Sequence, residues 1–164
     1  MAELNDIYNT RLLELAADIP HSAPLLNAQA TATAHSKLCG STVTVALSVA
    51  NGQITAFSQI VKACLLGQAS AAIVGHNIIN TPISEFHALA ATMRNMLKQD
   101  GPLPTGKWRD LALLEPVRPY KSRHASTLLI FDAVEKALAM LSPSIEPLID
   151  KLAEATQKTN VEVR

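Results

Sequence analysis

The sequence predicts an α+β fold in one domain: a three-stranded antiparallel sheet covered by helices, with an N-terminal helix and a helical C-terminal half. Three observations lead there. Apolar residues recur at three and four over residues 4–17, the period changes to two from Thr31 to Val61, and helical stretches fill the rest of the chain. The 164 residues are 48% hydrophobic and 17% charged, enough apolar surface to close a core without staples.

The first helix carries Leu4, Ile7, Tyr8, Leu12, Leu15 and Ala16 on one stripe and ends at Asp18-Ile19-Pro20. Residues 20–24 form a connector. Alternation then sets in, with Ala32 and Ala34 opposed to Thr31, Thr33 and His35. It is clearer in Val43, Val45, Leu47 and Val49 against Thr42, Thr44, Ala46 and Ser48. Asn51-Gly52 is a hairpin signal, because both central positions of that turn need positive φ, and Gln53 to Val61 is the return strand. An exposed sheet of this size needs a cover. Ala63 to Ile78 supplies an apolar helix whose Gly67 and Gly75 predict close packing. Thr81-Pro82 is expected to cap and start a helix over Ile83 to Gln99. Asp100 to Gly106 must be a loop. Trp108 to Leu114 is expected to form a short helix before Pro116 and Pro119. A long helix covers Ser122 to Leu141, and a last one is expected from Pro143 to Gln157.

Charge and motifs exclude several functions. Lys+Arg and Asp+Glu both count 14, so no global basic field marks a nucleic-acid binder. Lys107, Arg109, Arg118, Lys121 and Arg123 gather around Trp108 and Tyr120, which suits an acidic partner or a solvated face better than nucleic acid. No apolar run approaches the roughly 20 residues that span a bilayer. Met1 to Tyr8 holds acidic residues and no Lys or Arg, unlike a secretory signal, so a cytoplasmic protein is expected. There is no phosphate loop, dinucleotide fingerprint or nucleophile elbow. Glu14 and Asp18 read as a solvated face, and Met93 and Met96 as core.

The two cysteines, too few for a disulfide framework, are the informative residues. A free cysteine is often only a small buried apolar group. Cys39, however, precedes Gly40 at the start of a strand, and Cys64 falls where a strand gives way to a helix. A helix N-terminus and the neighbouring Lys62 favour thiolate, so Cys64 is expected to be the more reactive. Their separation fits no compact zinc-finger spacing. His21, His76 and His87 read as ordinary structural histidines. His35, four residues before Cys39, is an outside candidate for a ligand.

Cys39-Gly40, a strand, Asn51-Gly52, a second strand and then Ala63-Cys64-Leu65-Leu66-Gly67-Gln68-Ala69-Ser70-Ala71 resemble the iron–sulfur cluster assembly scaffold family of IscU, SufU and the N-terminal domain of NifU. That family writes Cys-Gly-Asp and Gly-Cys-x-x-x-x-Ala-Ser-x-Ser. Arg123-His124-Ala125-Ser126-Thr127-Leu128 is similar to its His-Cys-Ser-x-Leu segment. The resemblance covers roughly residues 5–140. It implies an IscU-like domain over residues 1–141 with a C-terminal helical extension over 142–164. It also implies a scaffold or carrier, not an enzyme, that binds iron and a labile cluster, [2Fe–2S] in type, through Cys39, Cys64 and His124. A cysteine desulfurase and apo-protein acceptors are the implied partners, with a homodimer as one way to complete the site.

The chain departs from the pattern in four places. Ser41 stands for the family's aspartate, Ala125 for its third cysteine and Ala63 for its glycine. Glu115-Pro116-Val117-Arg118-Pro119 occupies the stretch of a Leu-Pro-Pro-Val-Lys chaperone peptide. Two thiolates and one imidazole leave a four-ligand iron site one short, and the same set suits Zn²⁺ with an open position. The alternative is therefore a degenerate relative, a zinc-binding sulfur acceptor or regulator of assembly that holds no cluster. A thiol enzyme built on Cys64 would need a base that nothing in the sequence places beside it.

Overall fold

The computed structural model describes residues 9–141. Helix α1 runs over Thr10–Ala17, and Asn9 caps it by accepting a hydrogen bond from the Leu12 amide at 2.9 Å. Its buried residues are Leu12, Leu15 and Ala16, the stripe that the spacing predicts. The earlier part of the expected helix and the expected helix from Pro143 lie outside the described residues.

Strands β1 (Ala30–His35), β2 (Thr42–Ala50) and β3 (Gln53–Lys62) pair antiparallel in chain order. Register sets Ala32 opposite Val45 and Leu47 opposite Phe57, so that Ala30, Ala32, Ala34, Val43, Val45 and Leu47 share the buried face. The β2–β3 turn holds Asn51 at φ 54° and Gly52 at φ 75°, the mirror-image turn that matches strand twist. A register shift at Ser48/Val49 bends the hairpin.

A fourth strand was not expected. Thr81–Pro82 forms a two-residue β4 against β3, with Ile54 opposite Thr81 and Gln53 opposite Pro82. The Thr81 hydroxyl donates to Asn77 O at 3.1 Å, so it closes the preceding helix instead of capping the next one. Proline is tolerated there because an edge strand needs no donor on its outer side.

Helix α2 (Leu65–Asn77) is buried around most of its circumference, between α1, α4 (His124–Leu141) and the sheet. Its glycines are the points of closest approach. A Cβ on Gly67 would lie 2.7 Å from Ala63 Cβ and 3.1 Å from Ser126 O; one on Gly75 would lie 2.6 Å from Gln59 Nε2. Helix α3 (Ile83–Lys98) adds Phe86, Met93 and Met96 to the core, and Phe86 stacks on Phe131 of α4 at 5.9 Å. The short helix expected over Trp108–Leu114 is instead a longer 3-10 segment over Gly106–Val117, which buries Trp108, Leu111, Leu114 and Val117. Pro116 lacks the amide that an α-helical ladder would use, which favours the tighter, shorter-range bonding.

Candidate functional site

Cys39 sits in the tight connection between β1 and β2. Ser36 N donates to Ser41 O and Gly40 N donates to Ser36 O, both at 2.9 Å, closing a small loop. Gly40 adopts φ +72°, a conformation that other residues rarely take. The loop presents Cys39 and Leu38 to solvent. The Cys39 thiol lies 3.4 Å from Ser36 Oγ and 3.0 Å from Ser41 Oγ. These hydroxyls, the Ser41 backbone and the positive charge of Arg123 hold its pKa below the ordinary thiol value.

Cys64 is the N-cap residue of α2, with extended backbone at φ −64° and ψ 172°. It is half-buried. Its thiol donates to Ser126 Oγ at 3.4 Å, and Ser126 in turn donates to Arg123 O at 3.2 Å. The helix N-terminus expected for Cys64 is present. The reactivity expected from it is better placed on Cys39, which is exposed and has the Ser41 hydroxyl able to donate to its sulfur.

The two cysteines come to one end of the sheet because Thr42 pairs with Lys62 in the β2–β3 register. Cys39 lies three residues before that pair and Cys64 two residues after it. The start of α4 reaches the same end, since Arg123 acts on Cys39 and Ser126 touches Cys64. Between them, His124 is only 6% exposed. Its Nε2 is 3.2 Å from Val117 O and 3.0 Å from Arg118 O. Carbonyl oxygens only accept, so Nε2 carries the proton and Nδ1 is the nitrogen with a lone pair to offer. Ala125, in the next position, is exposed.

Cys39, Cys64 and His124 thus share one end of the molecule but not one coordination sphere. Among the described residues, no three His, Cys, Asp or Glu side chains stand close enough together to hold a metal ion. His35 ends β1 with its ring exposed, opposite Thr42. The basic cluster read from sequence is divided. Lys107 pairs with Glu85 and crosses the Trp108 ring at 5.0 Å, while Arg118 turns inward to Met96 O and Gly101 O, both at 2.6 Å. Ser36 and Ser126, the hydroxyls beside the thiols, were not singled out from sequence. The available signal was spacing, in Ser36-x-x-Cys39-x-Ser41 and in a serine two residues after His124.

Among solved structures, the chain is similar to a nitrogen-fixing NifU-like protein (N-terminal) from Brucella abortus. They are 47% identical, the match covers 85% of this chain and 97% of that one, and the TM-score is 0.84. The chain belongs to the NifU-like N-terminal family. At 19% identity it also shares its fold with a candidate iron–sulfur cluster assembly scaffold protein for the SUF system of Fervidobacterium islandicum, over 83% of this chain and 99% of that one, with a TM-score of 0.75. Comparison with family models and with curated proteins finds no match. Membership accounts for the α+β layout. Ser41 is buried against the Cys39 thiol, and Ala125 is a bare methyl on the surface.

Proposed function

We propose that this protein is a scaffold or carrier for iron–sulfur clusters, and not an enzyme, with Cys39 and Cys64 as the thiolate ligands and His124 as the third. The observation that supports the reading is the placement of both cysteines at element junctions at one end of the sheet, in a NifU-like chain. A cluster here is cargo. Thiolates bind iron strongly, and imidazole can replace thiolate. An exposed Cys39 on a tight loop lets sulfur and iron arrive and leave. His124 would take part through Nδ1, its Nε2 proton fixed by the carbonyls of Val117 and Arg118.

One chain offers three candidate ligands, which have to draw together from their places in this structure to meet a cluster, so a [2Fe–2S] centre would keep an open position and be labile. Two chains meeting at this end would offer four cysteines, and two-fold dimers are the commonest assembly. A cysteine desulfurase as sulfur donor and apo-proteins as acceptors complete the proposed pathway, in the cytoplasm. Among the described residues no helix is long and apolar enough to cross a membrane.

Anaerobic reconstitution with iron and sulfide, followed by assays of iron, zinc and acid-labile sulfide, tests the reading. Iron and sulfide in equal amounts, lost in the Cys39→Ser, Cys64→Ser double variant, are expected. Iron and sulfide no higher than in that variant would overturn it. Zinc held without sulfide would put in its place the alternative that Ser41 and Ala125 favour, a relative that has given up the cluster.

A further inference from the structure

We infer that the cysteine end of the sheet is a docking face for an acidic protein surface, with Leu38 as its apolar anchor and Lys37, Lys62, Lys121 and Arg123 as its charged rim. The inference goes beyond the scaffold reading and does not depend on a cluster being held. Three elements bring the cations together. Lys37 lies in the β1–β2 loop that the Ser36 and Gly40 amides close. Lys62 is paired with Thr42, the residue that follows that loop. Lys121 and Arg123 belong to the 3-10 turn just before α4, and the charge of Arg123 acts on Cys39.

Two properties of this face select the partner. The first is charge. All four cations are exposed, and none of them has an ion pair among the described residues. The carboxylates on the neighbouring elements are engaged by other cations. Arg118 holds Asp100 at 3.9 Å and Glu115 at 2.9 Å, and Arg94 holds Asp132 at 2.8 Å and Glu135 at 2.6 Å. Asp18, which has no ion pair among the described residues, stands by His76 and Asn77, at the opposite end of α2 from Cys64. The face is therefore positive although the chain as a whole is neutral, which draws a negative partner and repels a basic one.

The second property is an apolar anchor. Leu38 is 75% exposed, between Lys37 and Cys39, on a loop tied by two backbone hydrogen bonds at 2.9 Å and turned by Gly40 at φ +72°. A large apolar side chain held out on a closed loop loses little further backbone freedom on binding and gains by entering an apolar recess. An apolar centre with a charged rim is the anatomy of a protein interface. Nucleic acid fits less well, because no Phe, Tyr or Trp among the described residues is exposed to stack on a base. A single leucine also offers a bilayer little surface to bury.

The full chain without iron tests this. The isotopically labelled protein is titrated by NMR with a synthetic peptide of glutamates around a central leucine. Saturable shifts centred on residues 36–41, Lys62 and Lys121–Arg123 are expected. Affinity should fall about tenfold for the glutamine version of the peptide and in the Lys37→Glu, Arg123→Glu variant, and should weaken with added salt. The milder Lys62→Gln, Lys121→Gln variant should lower it in the same direction. Arg109→Glu, at an exposed arginine outside this face, should leave it unchanged. Leu38→Ser should weaken the leucine peptide severalfold and leave an all-glutamate peptide as it was. Equal affinity for the glutamine peptide, an equal loss in Arg109→Glu, or shifts that never saturate would overturn the docking face. Leu38→Ser acting alike on both peptides would overturn the anchor. Tighter binding of a DNA duplex or of phosphatidylserine vesicles at the same salt would overturn the choice of a protein partner. Because no arm contains iron, failure of the cluster reading leaves these outcomes unaffected.

Discussion

At the scale of single residues, the two thiols are set up differently. Cys39 is exposed, with Ser36 Oγ and Ser41 Oγ within 3.4 Å and Arg123 contributing positive charge. Each influence favours the charged form, so the Cys39 thiolate persists to lower pH than in an ordinary thiol. In the Cys64→Ser background, where Cys39 is the remaining thiol, alkylation should be faster at neutral pH than in the Cys39→Ser background. Adding Ser36→Ala and Ser41→Ala should move the midpoint of the rate–pH profile upward. Equal rates in the two backgrounds, or a midpoint that stays put, would remove the argument. Cys39 was legible as a cysteine at an element junction, and the two serines beside it were not. Serine is common in turns for local backbone reasons, and only the folded loop shows it facing sulfur.

At the scale of elements, the site depends on how closely α2 meets the start of α4. A methyl group on Gly67 would collide with Ala63 Cβ and press on Ser126 O, the residue that holds Cys64. Gly67→Ala should therefore cost about 1–3 kcal/mol in chemical denaturation. Arg118 ties the loop after α3 to the 3-10 segment by donating to Met96 O, Gly101 O and Glu115. Its side chain is 24% exposed, so Arg118→Ala leaves carbonyl groups short of partners and should cost about 2–3 kcal/mol. The Arg94 pairs with Asp132 and Glu135 lie nearer the surface, and Arg94→Ala should cost less than about 1 kcal/mol. If Arg94→Ala proves the more damaging, the burial argument is wrong. Periodicity made the hairpin, the buried helix α2 and the glycine contacts legible. It did not show β4 or the extent of the 3-10 segment. Two residues are too few to carry a period, and the role of Thr81 depends on a carbonyl left over from the preceding helix.

At the scale of the whole molecule, ends of elements far apart in sequence converge at one end of the sheet. The β1–β2 loop, the start of α2 and the start of α4 meet because register fixes the hairpin and close packing fixes the helices. Zero formal net charge hides an uneven surface, since Lys98 and Lys121 are without ion-pair partners among the described residues while Arg11, Arg94 and Lys107 are paired. If two chains complete the ligand set, the reconstituted protein should elute as a dimer on sizing and the apo form as a smaller species. Elution unchanged by iron and sulfide would exclude that route.

The proposed function has the end of the sheet holding a cluster whose ligand set a single chain does not complete. Ala125 is exposed, so Ala125→Cys adds a thiol without disturbing the core. The direct measurement is the rate at which a chelator strips iron from reconstituted wild type and from Ala125→Cys, with no added thiol. Slower loss from the variant, with less dependence on dimerisation, is the expected result. Loss at the same rate or faster would contradict the claim.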